Sequence, residues 1–148
     1  MPSAVSADPI SVATRLRPVL FKLNRELRRE IHSLGVTGGQ ASLLIEIQRL
    51  PGMGVGELAT RERMSVPGMS KYVGRLESAG LIRKTELADR RRVGIELTEE
   101  GHRVLASVKR RRTAWLAERL RGLEPQELDA IDAAVEPLLK LLDEDIAQ

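Results

Sequence analysis

The 148-residue sequence contains no cysteine, which removes disulfides, thiolate nucleophiles, thiolate zinc sites and cysteine redox switches from consideration. Aromatic residues are scarce, with one Trp, one Tyr and one Phe. Such a chain has no platform of rings on which single-stranded bases could stack, and stacking contributes little to holding a small ligand. The only imidazoles are His32 and His102, and two histidines without thiolates argue against a built-in metal centre. No cofactor is expected. Unbroken apolar runs extend only a few residues, far short of the ~20 that cross a bilayer. The opening Met1-Pro2-Ser3-Ala4-Val5-Ser6 has neither a basic n-region nor an apolar h-region, so the expectation is a cytoplasmic protein without a secretory leader or membrane partner.

With 42% apolar and 30% charged residues, the chain has a globular composition, neither disordered nor collagen-like. Its length corresponds to one domain at ~100–200 residues per domain. The net charge of +3 conceals an asymmetry. Residues 124–148 hold eight acids and one base, Lys140, a net of −7, and the remaining residues sum to +10. This split suggests a basic surface for a polyanion and an acidic closing helix. Nineteen of the 24 bases are arginine, which suits forked phosphate contacts and groove insertion.

Leu16, Leu20, Leu23, Leu27, Ile31 and Leu34 trace one helical stripe after a polar tail at residues 1–9. Pro18 predicts either a kink near Thr14 or a helix that starts close to Pro18, and Gly35 ends it. Thr37-Gly38-Gly39-Gln40 reads as a capping box ahead of a short helix on Leu43, Leu44, Ile47 and Leu50. Pro51–Gly56 reads as a loop, and Glu57–Arg63 as a short helix. Ser65 is an N-cap before Val66-Pro67, and Met69, Val73 and Leu76 form the inner side of the helix that follows. Gly80 stops that helix.

Leu81–Thr85 and Val93–Leu97 read as two strands flanking the polar tip 86–92. Thr98 caps a helix to about Arg121, and a last helix runs from Pro125 to about Ile146. Within the long helix, Lys109-Arg110-Arg111-Arg112 is the densest basic run. The favoured reading is structural: a last helix returning across Gly122 brings Asp132 and Glu136 near Arg110–Arg112.

Two short helices followed directly by a two-stranded hairpin make a winged helix-turn-helix. The fold class is therefore mainly α with a small β-hairpin wing. Residues 36–98 form the winged helix-turn-helix, and residues 1–35 and 99–148 form a helical region too apolar to be left in water, which implies a partner subunit.

Leu58-Ala59, Ser65-Val66-Pro67, Val73-Gly74-Arg75-Leu76-Glu77, Gly80-Leu81-Ile82-Arg83, Asp89-Arg90-Arg91 and Leu97-Thr98-Glu99-Glu100-Gly101, in that order, resemble the MarR family of bacterial transcription regulators. The resemblance runs from about Thr37 to Leu105. It implies a homodimer that binds a pseudo-palindromic operator, usually as a repressor, and that small aromatic ligands or oxidants often release. The absence of cysteine excludes the branch that senses peroxide through a thiol. Two departures stand out: Gly68 where the family usually has Ser, and Gly74 where it often has Asp. Each helical glycine costs roughly 1 kcal/mol against alanine.

A reader helix with its N-terminus in the major groove brings Ser65, Pro67, Gly68, Ser70 and Lys71 nearest double-stranded DNA, with Lys71 or Arg75 addressing guanine. On the wing the resemblance makes Arg91 the inserted residue, with Arg90 nearby and Asp89 orienting an arginine by an ion pair. Thr37, Gln40 and Arg83 are candidate phosphate contacts, the first two equally readable as plain helix caps. Arg15, Arg25, Arg28 and His32 are candidates for meeting a carboxylate or phenolate on a small aromatic or anionic effector.

Enzyme readings fare worse. Gly38-Gly39-Gln40 matches the peptidyl-tRNA hydrolysis tripeptide of release factors, but here it opens a capped helix. Gly52-x-Gly54-x-Gly56 lacks both the Lys-Ser/Thr of a P-loop and the strand that precedes a dinucleotide site. No Ser, His and Asp spacing suggests a triad. A non-enzymatic regulator is expected, the alternative being a winged-helix module for protein or RNA without operator specificity.

Overall fold

The computed structural model describes residues 6–86 and 93–142. The chain divides into two units, Met1–Arg112 and Thr113–Gln148.

The first helix, α1 (Pro9–Arg29), begins earlier than Pro18 and runs through it. Asp8 explains the early start: its Oδ2 accepts from the Ser11 amide at 3.0 Å, and Pro9 supplies the fixed φ suited to a first turn. Residues 8 and 9 therefore belong to a helix start rather than to a tail. Gly35, at φ 78°, closes a separate 3₁₀ turn at His32–Leu34 instead of ending α1.

Next come α2 (Gly38–Arg49), α3 (Val55–Arg61) and α4 (Val66–Ser78). Strand β1 (Ile82–Glu86) pairs antiparallel with β2 (Val93–Leu97), Ile82 opposite Leu97 and Glu86 opposite Val93. Part of the expected Pro51–Gly56 loop joins this sheet. Met53 bridges to Ile95, whose amide donates to the Met53 carbonyl at 2.9 Å, and the Gly52 amide donates to the Ile95 carbonyl at 3.0 Å. A single-residue bridge has no period-2 pattern from which it could be read.

The core of the first unit gathers Ile31 from the turn after α1, Leu44 and Ile47 from α2, Leu58 from α3, Met69, Val73 and Leu76 from α4, Ile82 and Ile95 from the hairpin, and Leu105 and Val108 from α5 (Glu99–Arg121). No polar or charged side chain is buried among the described residues, so hydrophobic burial at ~25 cal/mol per Å² dominates its cohesion.

One joint ties α4, the wing and α5 together. Thr98 Oγ1 donates to the Gly80 carbonyl at 2.6 Å and accepts from the Gly101 amide at 3.0 Å. The Thr98 amide donates to the Leu81 carbonyl at 3.1 Å. A methyl group on Gly101 would overlap that same Leu81 oxygen, so α5 starts with its backbone pressed against the turn between α4 and β1.

The basic run on α5 was expected to meet Asp132 and Glu136, but the partners found for it lie within the first unit. Lys109 Nζ donates to Gln48 Oε1 at 2.8 Å, Arg110 to Ser107 Oγ at 3.1 Å and Arg112 Nε to the Leu27 carbonyl at 3.3 Å.

The second unit holds the end of α5 and α6 (Pro125–Lys140). Glu124 and Glu127 form a capping box at the start of α6, and Arg119 lies 5.0 Å from the Trp115 ring centroid. None of the residues of α6 is buried.

Gly101→Ala is expected to destabilise the chain by roughly 3 kcal/mol, at the upper end for overpacking, because backbone rather than a flexible side chain opposes the new methyl. Thr98→Val should lose a cap for about 1 kcal/mol. Urea denaturation of both variants checks this, and a Gly101→Ala chain as stable as the parent would contradict the joint.

Candidate nucleic-acid interface

Helix α4 is set up by its own sequence. Ser65 Oγ accepts from the Gly68 amide at 3.1 Å, and Pro67 lies in the first turn. Met69, Val73 and Leu76, spaced 4 and 3, are buried. That fixes the opposite side outward: Ser65, Pro67, Ser70, Lys71 and Arg75 are exposed, and Gly68 and Gly74 are partly so. The turn from α3 passes through Arg63 at φ 54°, with the Met64 amide donating to the Ala59 carbonyl at 2.8 Å. Helix, four-residue turn and helix are thus locked before the hairpin begins.

The charged side chains divide into two kinds. Glu46 of α2 accepts from Arg49 and from Arg61 of α3, both at 3.0 Å, clamping the helix that precedes α4. Arg83 of β1, expected as a phosphate contact, reaches Glu96 of β2 at 2.6 Å and braces the wing. Lys71 and Arg75, by contrast, have no acidic partner among the described residues. Two outward cations without carboxylates on a rigid helix are suited to an external polyanion.

Thr37 and Gln40 form the capping box as read: Thr37 Oγ1 accepts from the Gln40 amide at 3.1 Å and Gln40 Oε1 from the Thr37 amide at 3.0 Å. Their acceptor groups are spent on α2 itself. Asp89, Arg90 and Arg91, the expected wing-tip residues, lie outside the described residues.

Of the four expected effector contacts, Arg28 alone lines a cavity of about 140 Å³ between the end of α1, the start of α2 and α4, where Leu43, Glu62, Met64, Met69 and Tyr72 also face it. Arg15, Arg25 and His32 are exposed and do not line it. The Arg28 stem covers Gly38, where a methyl would come within 2.7 Å of its Cγ. Burial, and then the nearby Arg28 charge, holds Arg112 below the ordinary arginine value. Burial, reinforced by Glu46 and opposed by Arg61, raises the Glu62 carboxyl.

Sequence reading missed Glu46, Arg61 and Tyr72. An i, i+3 Glu46–Arg49 pair is visible in the sequence, but the fifteen-residue reach to Arg61 is not.

A carboxyl whose value is raised on folding favours the folded state when protonated. That contribution is complete below its ordinary value of 4.5 and is lost as pH rises through the higher folded value. Glu62→Gln keeps the neutral form at every pH. Its melting temperature relative to the parent is therefore expected to increase between about pH 4 and about pH 7, by a small amount because the group is largely solvated. Melting curves at the two pH values test this, and a constant difference would mean that folding does not raise the Glu62 carboxyl.

A sequence model of the MarR family matches residues 34–92, from the end of the 3₁₀ turn through the first half of the hairpin. An HTH-type transcriptional regulator of Mycobacterium bovis is 33% identical over 134 residues, covering 90% of this chain and 94% of that protein. Among solved structures, a transcriptional regulator of Pseudomonas aeruginosa is 32% identical with a TM-score of 0.75, over 90% of this chain and 94% of the other. A mutant of Escherichia coli MarR, 19% identical, shares the fold at a TM-score of 0.77 over 91% and 99% of the two chains. With an outward-facing α4 followed by the hairpin, and with relatives that match it almost end to end, this chain belongs to the MarR family of transcription regulators, and its winged helix is a DNA-binding one.

Proposed function

We propose that the chain is a homodimeric repressor that reads a pseudo-palindromic operator in double-stranded DNA and is released by a small aromatic or anionic effector. The observation that carries this reading is the outward side of α4: Ser65, Pro67, Gly68, Ser70, Lys71 and Arg75 stand on a helix whose other side is buried, and its two cations have no acidic partner among the described residues. In the major groove, Ser70 and Lys71 or Arg75 address base edges, each good pair adding ~1–3 kcal/mol of discrimination. Arg91, with Arg90, enters the flanking minor groove, Asp89 orients the wing, and Thr37, Gln40 and Arg83 meet phosphates.

Relatives support the DNA half of the reading. FabT of Streptococcus pneumoniae, crystallised in complex with DNA, and a MepR mutant of Staphylococcus aureus bound to an oligodeoxyribonucleotide share the fold at TM-scores of 0.69 and 0.66. MdtR of Bacillus subtilis, 28% identical over 126 residues, is a transcriptional repressor.

Pairing of two chains follows from what each leaves uncovered. Residues 1–35 and 99–148 form the dimerisation region of this reading. Within it Ile10 and Phe21 of α1 are 77% and 65% exposed, and Ile131, Val135 and Leu139 of α6 are between 45% and 49% exposed. Apolar helical faces of this kind mark association surfaces. A twofold dimer places two α4 helices about 34 Å apart, one turn of B-DNA.

The Arg28 cavity offers an effector a guanidinium for its carboxylate or phenolate, and Met64, Met69 and Tyr72 for its apolar body. Because Met69 and Tyr72 belong to α4, an occupant bears directly on the reader helix, and it acts only insofar as it binds the two reader spacings with different affinity. No helix among the described residues is long and apolar enough to cross a membrane, and regulation of this kind belongs in the cytoplasm.

Selection of bound duplexes from a random pool, with and without aromatic acids, tests the reading as a whole. On the selected duplex, Arg75→Ala is expected to lower affinity more than tenfold while the chain remains dimeric by sedimentation. Loss of the dimer instead would mean that α4 serves association. Arg91→Ala is expected to weaken binding and flatten its dependence on A·T content at the flanks, and unchanged binding would remove the wing from the interface. Binding of RNA in preference to duplex DNA would favour the alternative of an interaction module without operator specificity.

A further inference from the structure

The outermost line of α4 passes through Pro67, Lys71, Gly74 and Ser78, all within roughly 50° of the direction opposite the buried Met69, Val73 and Leu76 at 3.6 residues per turn. Gly74 is the anomaly on that line. A glycine inside a helix gives up stability that alanine would keep, and a protein normally recovers the loss through a backbone conformation or a close approach that only glycine permits.

At two other helical glycines the recovery is visible, whereas Gly56, which also meets nothing within 4 Å, lies in the first turn of the short helix α3. Gly101 sits against the Leu81 carbonyl, and a methyl on Gly68 would come within 3.0 Å of the Ser65 hydroxyl that caps α4. Gly74 has neither reason. It is not among the glycines with left-handed φ, and a methyl built on it meets nothing within 4 Å. Nothing inside the described chain asks for glycine at this point of the reader helix.

We infer that Gly74 is the point of closest approach between α4 and the DNA, and that its missing side chain sets how deeply the helix seats in the groove. This rests on the reading of α4 as the DNA-contacting helix. A bare Cα lets a sugar–phosphate strand or the groove floor come up to the helix backbone. Lys71, one turn earlier, and Arg75, the next residue, then reach base edges at a depth that a side chain at position 74 would deny them. Gly74 is thus a specificity-determining position through absence: it contributes no hydrogen bond, but it fixes the distance over which its two charged neighbours form theirs.

The inference separates stability from binding, so it is tested on the full-length chain with two readouts, melting temperature and affinity for the selected duplex. Gly74→Ala is expected to raise the melting temperature by roughly 2–4 °C, as regaining helix propensity does in a chain of this size, and to lower affinity at least tenfold. Gly74→Leu, also a strong helix former, is expected to lower affinity further without melting below the parent. A Gly74→Ala chain that melts higher but binds within twofold of the parent, while Arg75→Ala loses binding, overturns the inference and leaves the reader assignment standing. If neither substitution alters binding, both fall. A melting temperature that drops in Gly74→Ala also overturns it, since glycine would then be needed by the protein's own packing.

Discussion

The contact on which the arrangement depends is that of the Leu81 carbonyl with the start of α5. This oxygen accepts from the Thr98 amide and is covered by Gly101, and the Thr98 hydroxyl one bond series away holds the Gly80 carbonyl. Gly80 and Leu81 end the reader helix and begin the wing, and Thr98 and Gly101 end the wing and begin the long helix. A few backbone atoms therefore join α4 to the hairpin and attach both to α5. Any displacement of the first turns of α5 is passed to α4 through hydrogen bonds rather than through a pliable loop. Leu105 and Val108, buried one and two turns further along, make that part of α5 a member of the core.

Around this joint, charge is distributed by task. Several arginines are paired with carboxylates: Arg61 with Glu46 and Arg83 with Glu96 between elements, and Arg49 with Glu46, Arg103 with Glu100 and Arg121 with Glu118 within one helix. Exposed pairs of this sort contribute little stability each, yet they neutralise the charge they contain. Lys71 and Arg75, without an acidic partner among the described residues, add positive potential where α4 faces outward. A polyanion is drawn to such a face in a salt-dependent way.

Much of this was legible in advance because it is local. The Thr37–Gln40 capping box, the Ser65 cap, the Pro67 start and the Met69, Val73 and Leu76 stripe all link residues in steps of at most four positions, the range over which helix periodicity and capping operate. The hairpin was legible from two β-branched runs around a polar tip. Other features were not. Asp8 as a helix cap was hidden by the polar look of residues 1–9, and Pro18 left open a late helix start that α1 does not take. Met53 joined the sheet through one bridge, too short to leave a pattern. The Arg112–Leu27 and Lys109–Gln48 bonds connect residues 85 and 61 positions apart, and the basic run in which they lie suggested carboxylate partners instead.

What the amino-acid order decided alone is the succession of elements and the inward and outward side of each, since a helix or hairpin of this length is specified by residues it contains. Arg75 had to face away from Val73 and Leu76 wherever α4 came to rest. What only the tertiary structure decided is which charges are consumed and which remain. Glu46 could have held Arg49 alone, and Thr98 could have been a cap and nothing more. Partners far apart in the chain are chosen by packing, because close packing of the apolar core sets the distance between elements before any surface ion pair can form.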